Sequence, residues 1–494
     1  MKYINKKTIP FELFFILLTA FVTILICSKS SPLYPINDWV DANCYMTVGR
    51  GMLHGSMPYR DLFEHKGPLI YMLHAAAALI SDNSFLGVFL SEIILCFLFL
   101  YASYRILLSV CNGRPLCVIP LISMIIYSCA AFCHGDSAEE LCQPLLLCSF
   151  LIGLGCVQRN AHLTRREALI IGILSGAVLW TKFTMLGFYI GFFIAISVLT
   201  IKRYGFSTLL CSCCFIAVGV AAVTFPIIVF FAVNNSLGSL FEVYFYDNIF
   251  IYGGSSASVT DNLINGFFFC RDFFTLPFVI IITGILIMYL KKNYRELFYF
   301  LCSFLSAYLM VFGGGKSYRY YPFALAFFVP FSAALIFSCA EKRLNCITKK
   351  KNLFSVSCPL SLALCTAGCY LFSPNVYLMK YEKNELPQYK FAEIISHSDN
   401  PVLLNYGFLD GGFYLSSGIT PDFKYFCLNN TGLEEMVQSQ QFYVENALAE
   451  YVVVRSTDSK PHEYFRHYTC IASAEMPYYD KYFYYFLYKK SSLS

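Results

Sequence analysis

Charge is scarce in this 494-residue sequence. Lys, Arg, Asp and Glu together make up 14% of it, and 57% is hydrophobic; soluble globular domains carry about 25% charged residues. A soluble fold is excluded. A small-residue cleavage site is also missing after the first apolar run, Phe11 to Cys27, which follows Lys2, Lys6 and Lys7. That run therefore reads as a first transmembrane helix rather than a signal peptide. No His/Asp/Glu spacing resembles a zinc site, and there is no tandem repeat or low-complexity tract. Cysteine is plentiful at 22 residues, but most lie inside apolar runs (Cys96, Cys129, Cys148, Cys302, Cys365), where they act as small hydrophobes. Cys211 and Cys214 form a C-x-x-C inside a span with no second ligand pair. Cys427 and Cys470, in the tail, are the candidate disulfide. Basic residues cluster between apolar runs, a matter of topology that excludes a nucleic-acid partner.

What is present is a series of runs of membrane-spanning length. Besides the first, they cover about 85–108, 116–133, 141–157, 167–181, 184–201, 207–233, 273–290, 296–313, 320–340 and 354–372, about eleven spans in all. Arg105/Arg114, Arg159/Arg165/Arg166, Lys202/Arg203, Lys291/Lys292/Arg295 and Lys342/Arg343/Lys349/Lys350/Lys351 all fall on the N-terminal side of the membrane. By the positive-inside rule that side is the cytoplasm. The opposite face receives the loop 28–84, His134–Glu140, Lys182, Asn234–Asp272, Gly313–Arg319 and everything after about Ser373. Leu69–Ile80 is apolar but too short to span, and is expected as an interfacial helix. In the tail, VLLNYGF, EYVVVRS and YFYYFLYKK predict strands and Glu434–Ala449 a helix. The expected fold class is a polytopic α-helical membrane protein, with a transmembrane domain over 1–373 and a small α/β extracytoplasmic domain over 374–494.

Three outer loops concentrate ionisable groups. The first, 38–68, holds Asp38, Asp41, Arg50, Arg60, Asp61, Glu64, His65 and Lys66; the second is HGDSAEE, with Asp136, Glu139 and Glu140; the third is GGGKSYRYY, with Lys316 and Arg319. A charge at the centre of a membrane helix costs about 2.5–3.5 kcal/mol, so ionisable groups at the membrane edge default to function. Carboxylates that handle a proton beside cations that hold an anion suit the transfer of a sugar from a polyprenyl phosphate. The acceptor hydroxyl needs a base, and the departing phosphate needs Lys or Arg. Structural roles compete: Asp38 as a solvating residue, Asp41 as a helix N-cap, Arg60–Asp61 as a loop-shaping ion pair, His54 and His65 as hydrogen-bonded structural groups, Lys182 as a snorkelling helix end, and Lys316 as a span flank.

Asp41 with Tyr45, then Gly55-x-x-Pro58-Tyr59-Arg60-Asp61 and His65-Lys66-Gly67-Pro68, resemble the first outer loop of the GT-C superfamily of membrane glycosyltransferases. The branch resembled is the bacterial one related to protein mannosyltransferases and the lipid A aminoarabinose transferase. Trp180-Thr181-Lys182-Phe183-Thr184 and Tyr318-Arg319-Tyr320-Tyr321 are similar to further family motifs. The resemblance runs over roughly 10–340 and implies an inverting transferase of the bacterial cell membrane that uses polyprenyl-phosphate sugars on the non-cytoplasmic face. It implies Asp41 as base or acceptor-orienting carboxylate, and Lys66 and Arg319 on the donor phosphate; Lys316, a cation of the same loop as Arg319, is a further candidate for that phosphate. Glu139 or Glu140 takes the acidic position of the second loop; Tyr59, Arg60, Asp61, Glu64, His65, Asp136, Lys182 and Tyr320 support the site. Asp41 is followed by Ala42 where many relatives have a second acid, and Tyr320 stands where they have His. No cofactor or metal is expected, with a divalent cation left open. Expected partners are the lipid-linked donor, an envelope glycan, lipid or protein acceptor, and membrane lipid. A lipid-linked glycan transporter or an O-antigen-type polymerase are the alternatives. Transporters usually show paired repeats and midplane polar residues, whereas here the charges lie in outer loops.

Overall fold

Lipid offers the backbone no hydrogen-bond partners, so long apolar runs satisfy themselves as helices. The computed structural model of the chain describes residues 9–111, 115–252, 258–314, 316–347, 354–461, 465–479 and 481–491. Lys2, Lys6, Lys7, Arg114, Lys349, Lys350 and Lys351 of the basic clusters lie outside the described residues. The helices in chain order are α1 (Ile9–Cys27), α2 (Val40–Leu53), α3 (Pro68–Ala78), α4 (Leu86–Val110), α5 (Val118–Tyr127), α6 (Ala138–Arg159), α7 (Arg165–Leu179), α8 (Gly187–Tyr204) and α9 (Phe206–Val233). After α10 (Leu237–Phe241) and a π-helical segment, Glu242–Tyr252, come α11 (Val259–Phe273), α12 (Thr275–Leu290), α13 (Tyr294–Phe312), α14 (Val329–Ile347), α15 (Phe354–Phe372) and α16 (Pro387–Ile395). The tail continues with β1 (Leu403–Tyr406), α17 (Phe413–Ser417), α18 (Glu434–Glu445), β2 (Tyr451–Ser456), β3 (Tyr468–Tyr478) and β4 (Lys481–Lys490).

The chain is a multi-pass membrane protein. Each of the eleven apolar runs contains a helix. Among the described residues, seven helices are long and apolar enough to cross a membrane, and eight if the bent pair α11–α12 counts as one span. The remaining runs are shorter: Pro115–Tyr127 and Ser357–Phe372 are short apolar helices, and α7 has 15 residues, a length of about 22 Å at 1.5 Å per residue. Asn234–Asp272 is not the open loop that its polar residues predict. It holds α10, the π-helical segment and α11, and α11 meets α12 at a bend of 111°. Asp261, Asn262, Arg271 and Asp272 dilute its hydropathy and hide the helix.

Two compact units divide the chain: residues 1–28, 92–227 and 255–374, and residues 29–91, 228–254 and 375–494. In the first, helices approach through glycine, as membrane helices do where backbone contact replaces hydrophobic drive. A Cβ on Gly191 of α8 would stand 2.0 Å from the Cys302 carbonyl oxygen of α13, and one on Gly172 of α7 would stand 2.2 Å from that of Ile216 on α9. Gly191→Leu is therefore expected to separate α8 from α13. The measurement is the yield of monodisperse detergent-solubilised protein, which should fall well below wild type while Gly155→Ala, where an added Cβ would meet only the Arg159 guanidinium at 4.0 Å, stays unchanged.

In the second unit the sheet order is β1-β2-β4-β3: β1 is parallel to β2, β4 is antiparallel to β2, and β3 is antiparallel to β4. Leu404, Val452, Val454, Phe486 and Tyr488 form its core with Val444 of α18. The predicted tail strands and helix are present, and a further strand, β3, pairs along β4. Two buried cations tie the loop 29–84 to the tail. Lys29 Nζ sits 2.7 Å from Asp38 Oδ1 and donates to the Tyr377 hydroxyl. Asp38 is thus buried and paired, not solvating. Arg50, 1% exposed, donates to the Tyr414 and Gly418 carbonyls and pairs with Asp82. Cys427 and Cys470 do not form a disulfide: Cys470 Sγ lies against the Ala472 carbonyl, and the Cys427 sulfur faces Cys44.

Candidate functional site

Asp41 lies in the first turn of α2, where the helix macrodipole favours a carboxylate. Trp39 holds the N-cap position, with no side-chain cap hydrogen bond, so the capping role does not apply to Asp41. The segment 57–67 then brings Lys66 back to it. Tyr59 takes the left-handed conformation (φ 70), and its hydroxyl donates to the Lys66 carbonyl at 2.7 Å. Asp61 accepts from the Met57 N–H and forms an ion pair with Arg60 at 2.8 Å, and Arg60 also donates to the Asn234 carbonyl. Arg60 and Asp61 shape the loop: both side chains are more than a third exposed, and their mutual hydrogen bond holds the Asp61 carboxyl below its usual range.

The outcome is a cluster of four ionisable groups. Lys66 Nζ stands 4.0 Å from Asp41 Oδ2, 3.9 Å from Glu64 Oε1 and 3.2 Å from His65 Nε2, with the Tyr45 ring 5.9 Å away. Glu64, 2% exposed, organises it. Its Oε2 accepts from the Lys66 N–H at 2.8 Å and from the Tyr71 hydroxyl; its Oε1 lies 3.2 Å from His65 Nδ1 and accepts from Asn429. Burial pushes the Glu64 pKa up, but the Lys66 ammonium, the His65 ring and the Tyr71 hydrogen bond outweigh it, holding the carboxyl well below its usual range. Burial and Lys66 lower the His65 pKa against the opposing pull of Glu64. The two ring nitrogens thus face opposite charges, Nδ1 the Glu64 carboxylate and Nε2 the Lys66 ammonium. The π-helical segment supports this turn: Asn248 Nδ2 donates to the His65 carbonyl at 2.6 Å, and the Tyr252 ring packs on the imidazole.

Because Glu64 has a folded pKa below its unfolded one, its pairing contributes stability above the ordinary Glu range. That stability is lost as pH falls through the folded value. Glu64→Gln should destabilise the solubilised protein by about 3–5 kcal/mol, the usual consequence of removing one partner of a buried pair. Thermal unfolding checks this: the difference from wild type should be full at neutral pH and shrink on acidification.

The other candidate residues lie in the first unit. Ser137 caps α6 by accepting from the Glu140 N–H at 3.0 Å, which seats Glu139 and Glu140 in the first turn. They diverge from there. Glu139 pairs with Lys182 Nζ, and the Lys182 ammonium lies 4.5 Å from the Tyr321 ring centroid and 5.6 Å from that of Tyr320. Three separate sequence motifs therefore meet at one ion pair. Glu140 turns instead to Asp136 and Glu92: the Asp136 N–H donates to both Glu140 Oε2 and Glu92 Oε1, and Ser28 Oγ donates to Glu92. Arg319 Nε donates to the Ala130 carbonyl at 3.1 Å with its guanidinium over the Phe273 ring. Lys316 is half-buried, which pulls its pKa below the usual Lys range. Among the described residues, no group of three or more His, Cys, Asp or Glu is placed to hold a metal ion.

No protein-family model and no curated protein matches the chain. A solved structure does: ArnT from Cupriavidus metallidurans, crystallised with undecaprenyl phosphate bound, with a TM-score of 0.58 and 11% identity over 98% of each chain. The chain has the GT-C fold. At that identity the likeness concerns the path of the backbone, and the residues above stand on their own geometry.

Glu92, Tyr71, Asn248 and Asn429 were missed from sequence. A lone carboxylate in the apolar run LSEIIL is a signal for Glu92. The other three carry none: Asn248 and Asn429 act on residues far away in sequence, and Tyr71 reaches back from the first turn of α3.

Proposed function

We propose that this chain transfers a sugar from a polyprenyl-phosphate donor to an envelope glycan, lipid or protein on the extracytoplasmic face of a bacterial cell membrane. The observation that carries the reading is the Asp41–Lys66 pair, a carboxylate and an ammonium 4.0 Å apart and each largely shielded from water, on a chain with the fold of a protein that binds undecaprenyl phosphate. In this reading the isoprenoid stays in lipid and the head group enters at the membrane edge. The acceptor hydroxyl attacks the anomeric carbon from the face opposite the phosphate, and its proton passes to Asp41. The bond from the anomeric carbon to the phosphate oxygen breaks, and the negative charge gathering on the leaving phosphate is met by Lys66. Low water access strengthens that interaction. Within the first unit, Glu139 with Lys182 and the neighbouring Tyr320 and Tyr321 form a polar centre of their own. The tail 374–494, which forms one compact unit with 29–91 and 228–254, lies with them on the extracytoplasmic side in this reading.

The test is an assay with membranes containing the chain and radiolabelled polyprenyl-phosphate hexose, pentose and aminosugar donors. Chain-dependent release of polyprenyl phosphate, with label appearing in an envelope fraction, is expected from one donor. Release from none of them overturns the reading.

A further inference from the structure

Cys44 and Cys427 are 383 residues apart in sequence, yet their sulfurs lie 3.7 Å from one another. Both belong to the same compact unit and are 0% and 2% exposed. Cys44 sits on α2 one turn after Asp41; Cys427 lies two residues before Asn429, whose amide reaches Glu64 at 3.3 Å. Two thiols buried merely as hydrophobes have no need to face each other across two segments whose surroundings include Asp410 and Glu64. An S–S bond is roughly 2.05 Å long, so about 1.7 Å of approach separates this contact from a bond.

We infer that Cys44 and Cys427 form a disulfide that locks the Asp41 helix to the tail segment supporting Glu64. The inference rests on the extracytoplasmic placement in the proposed function, since disulfides persist in oxidising compartments. The co-reactant is the active-site disulfide of an extracytoplasmic thiol oxidoreductase. As the chain folds, before the two segments close over the sulfurs, one thiolate attacks that disulfide to give a mixed disulfide, and the second thiolate displaces it, forming the Cys44–Cys427 bond. Two electrons and two protons pass to the oxidoreductase, which leaves as a dithiol.

The test is peptide mapping of membranes quenched in acid, denatured and alkylated without reductant. The Cys44 and Cys427 peptides should appear as one cross-linked species that splits into two alkylated peptides on reduction. Recovery of both as alkylated thiols without reductant overturns the inference. A phosphatase fused after Ser494 reports the side of the membrane independently. An active fusion with free thiols overturns the disulfide alone, and an inactive fusion with free thiols overturns the topology as well. Cys44→Ala and Cys427→Ala should each lower the unfolding temperature by the same shift, with the double variant no lower than either; additive shifts overturn the bond.

Discussion

Asp41→Asn should reduce sugar transfer by about 10²–10⁴-fold, the usual contribution of a positioned acid–base group, while protein level and unfolding temperature change little. Asn keeps the size of the side chain and removes its basicity. The structural loss is small, because a carboxylate in the first turn of a helix is worth about 0.3–1 kcal/mol, and the N-cap position belongs to Trp39. The surrounding turn is held by other groups: Glu64 through the Lys66 N–H and Tyr71, and Tyr59 through the Lys66 carbonyl. Lys66 retains Glu64 at 3.9 Å as a counter-charge. The measurement is label transfer per mole of immunodetected protein. Retained transfer at wild-type rate would remove Asp41 from the role of base.

Lys66→Ala should lower transfer by about 10²–10³-fold, the scale seen when one donor to a developing negative charge is removed. The effect should fall on the donor: its kcat/KM drops while the acceptor KM holds. Lys66→Met, which keeps an unbranched apolar side chain of similar length, should behave like Lys66→Ala. That outcome separates the charge from the packing. Both variants leave Glu64 buried without its ammonium, so a part of the loss is stability, and Glu64→Gln measures that part independently. An unchanged donor dependence would count against a phosphate role for Lys66.

Much of the architecture was legible because it obeys local rules. Apolar runs of membrane length fold as helices wherever they occur, and β2 and β4 announce themselves by β-branched and aromatic residues. β3 was not legible: its sequence, YTCIASAEMPY, sets two Ala, a Ser, a Glu and a Pro among its apolar residues and becomes a strand by pairing with β4. The bend between α11 and α12 was hidden by polar residues within a helical stretch. In the site, Asp41, Glu64, His65 and Lys66 were legible as a concentration of charge in a chain that has little. Which of Glu139 and Glu140 faces a cation was not, because adjacent residues on a helix point about 100° apart and their partners come from other elements. The ion pair of Glu139 with Lys182, and the grouping of Glu140 with Glu92 and Asp136, are set by packing.

The amino-acid sequence by itself determined that this chain is a multi-pass helical membrane protein with a small α/β tail, and that its ionisable residues gather in a few loops. Hydropathy and spacing act within a few turns of chain, and lipid permits few alternatives. The tertiary structure alone decided that Glu64 is the buried centre of the Asp41–Lys66 cluster, that Lys29 and Arg50 anchor the loop to the tail, and that Cys44 meets Cys427. Burial, ion pairing and sulfur contact depend on the distances between segments hundreds of residues apart, which no local pattern encodes.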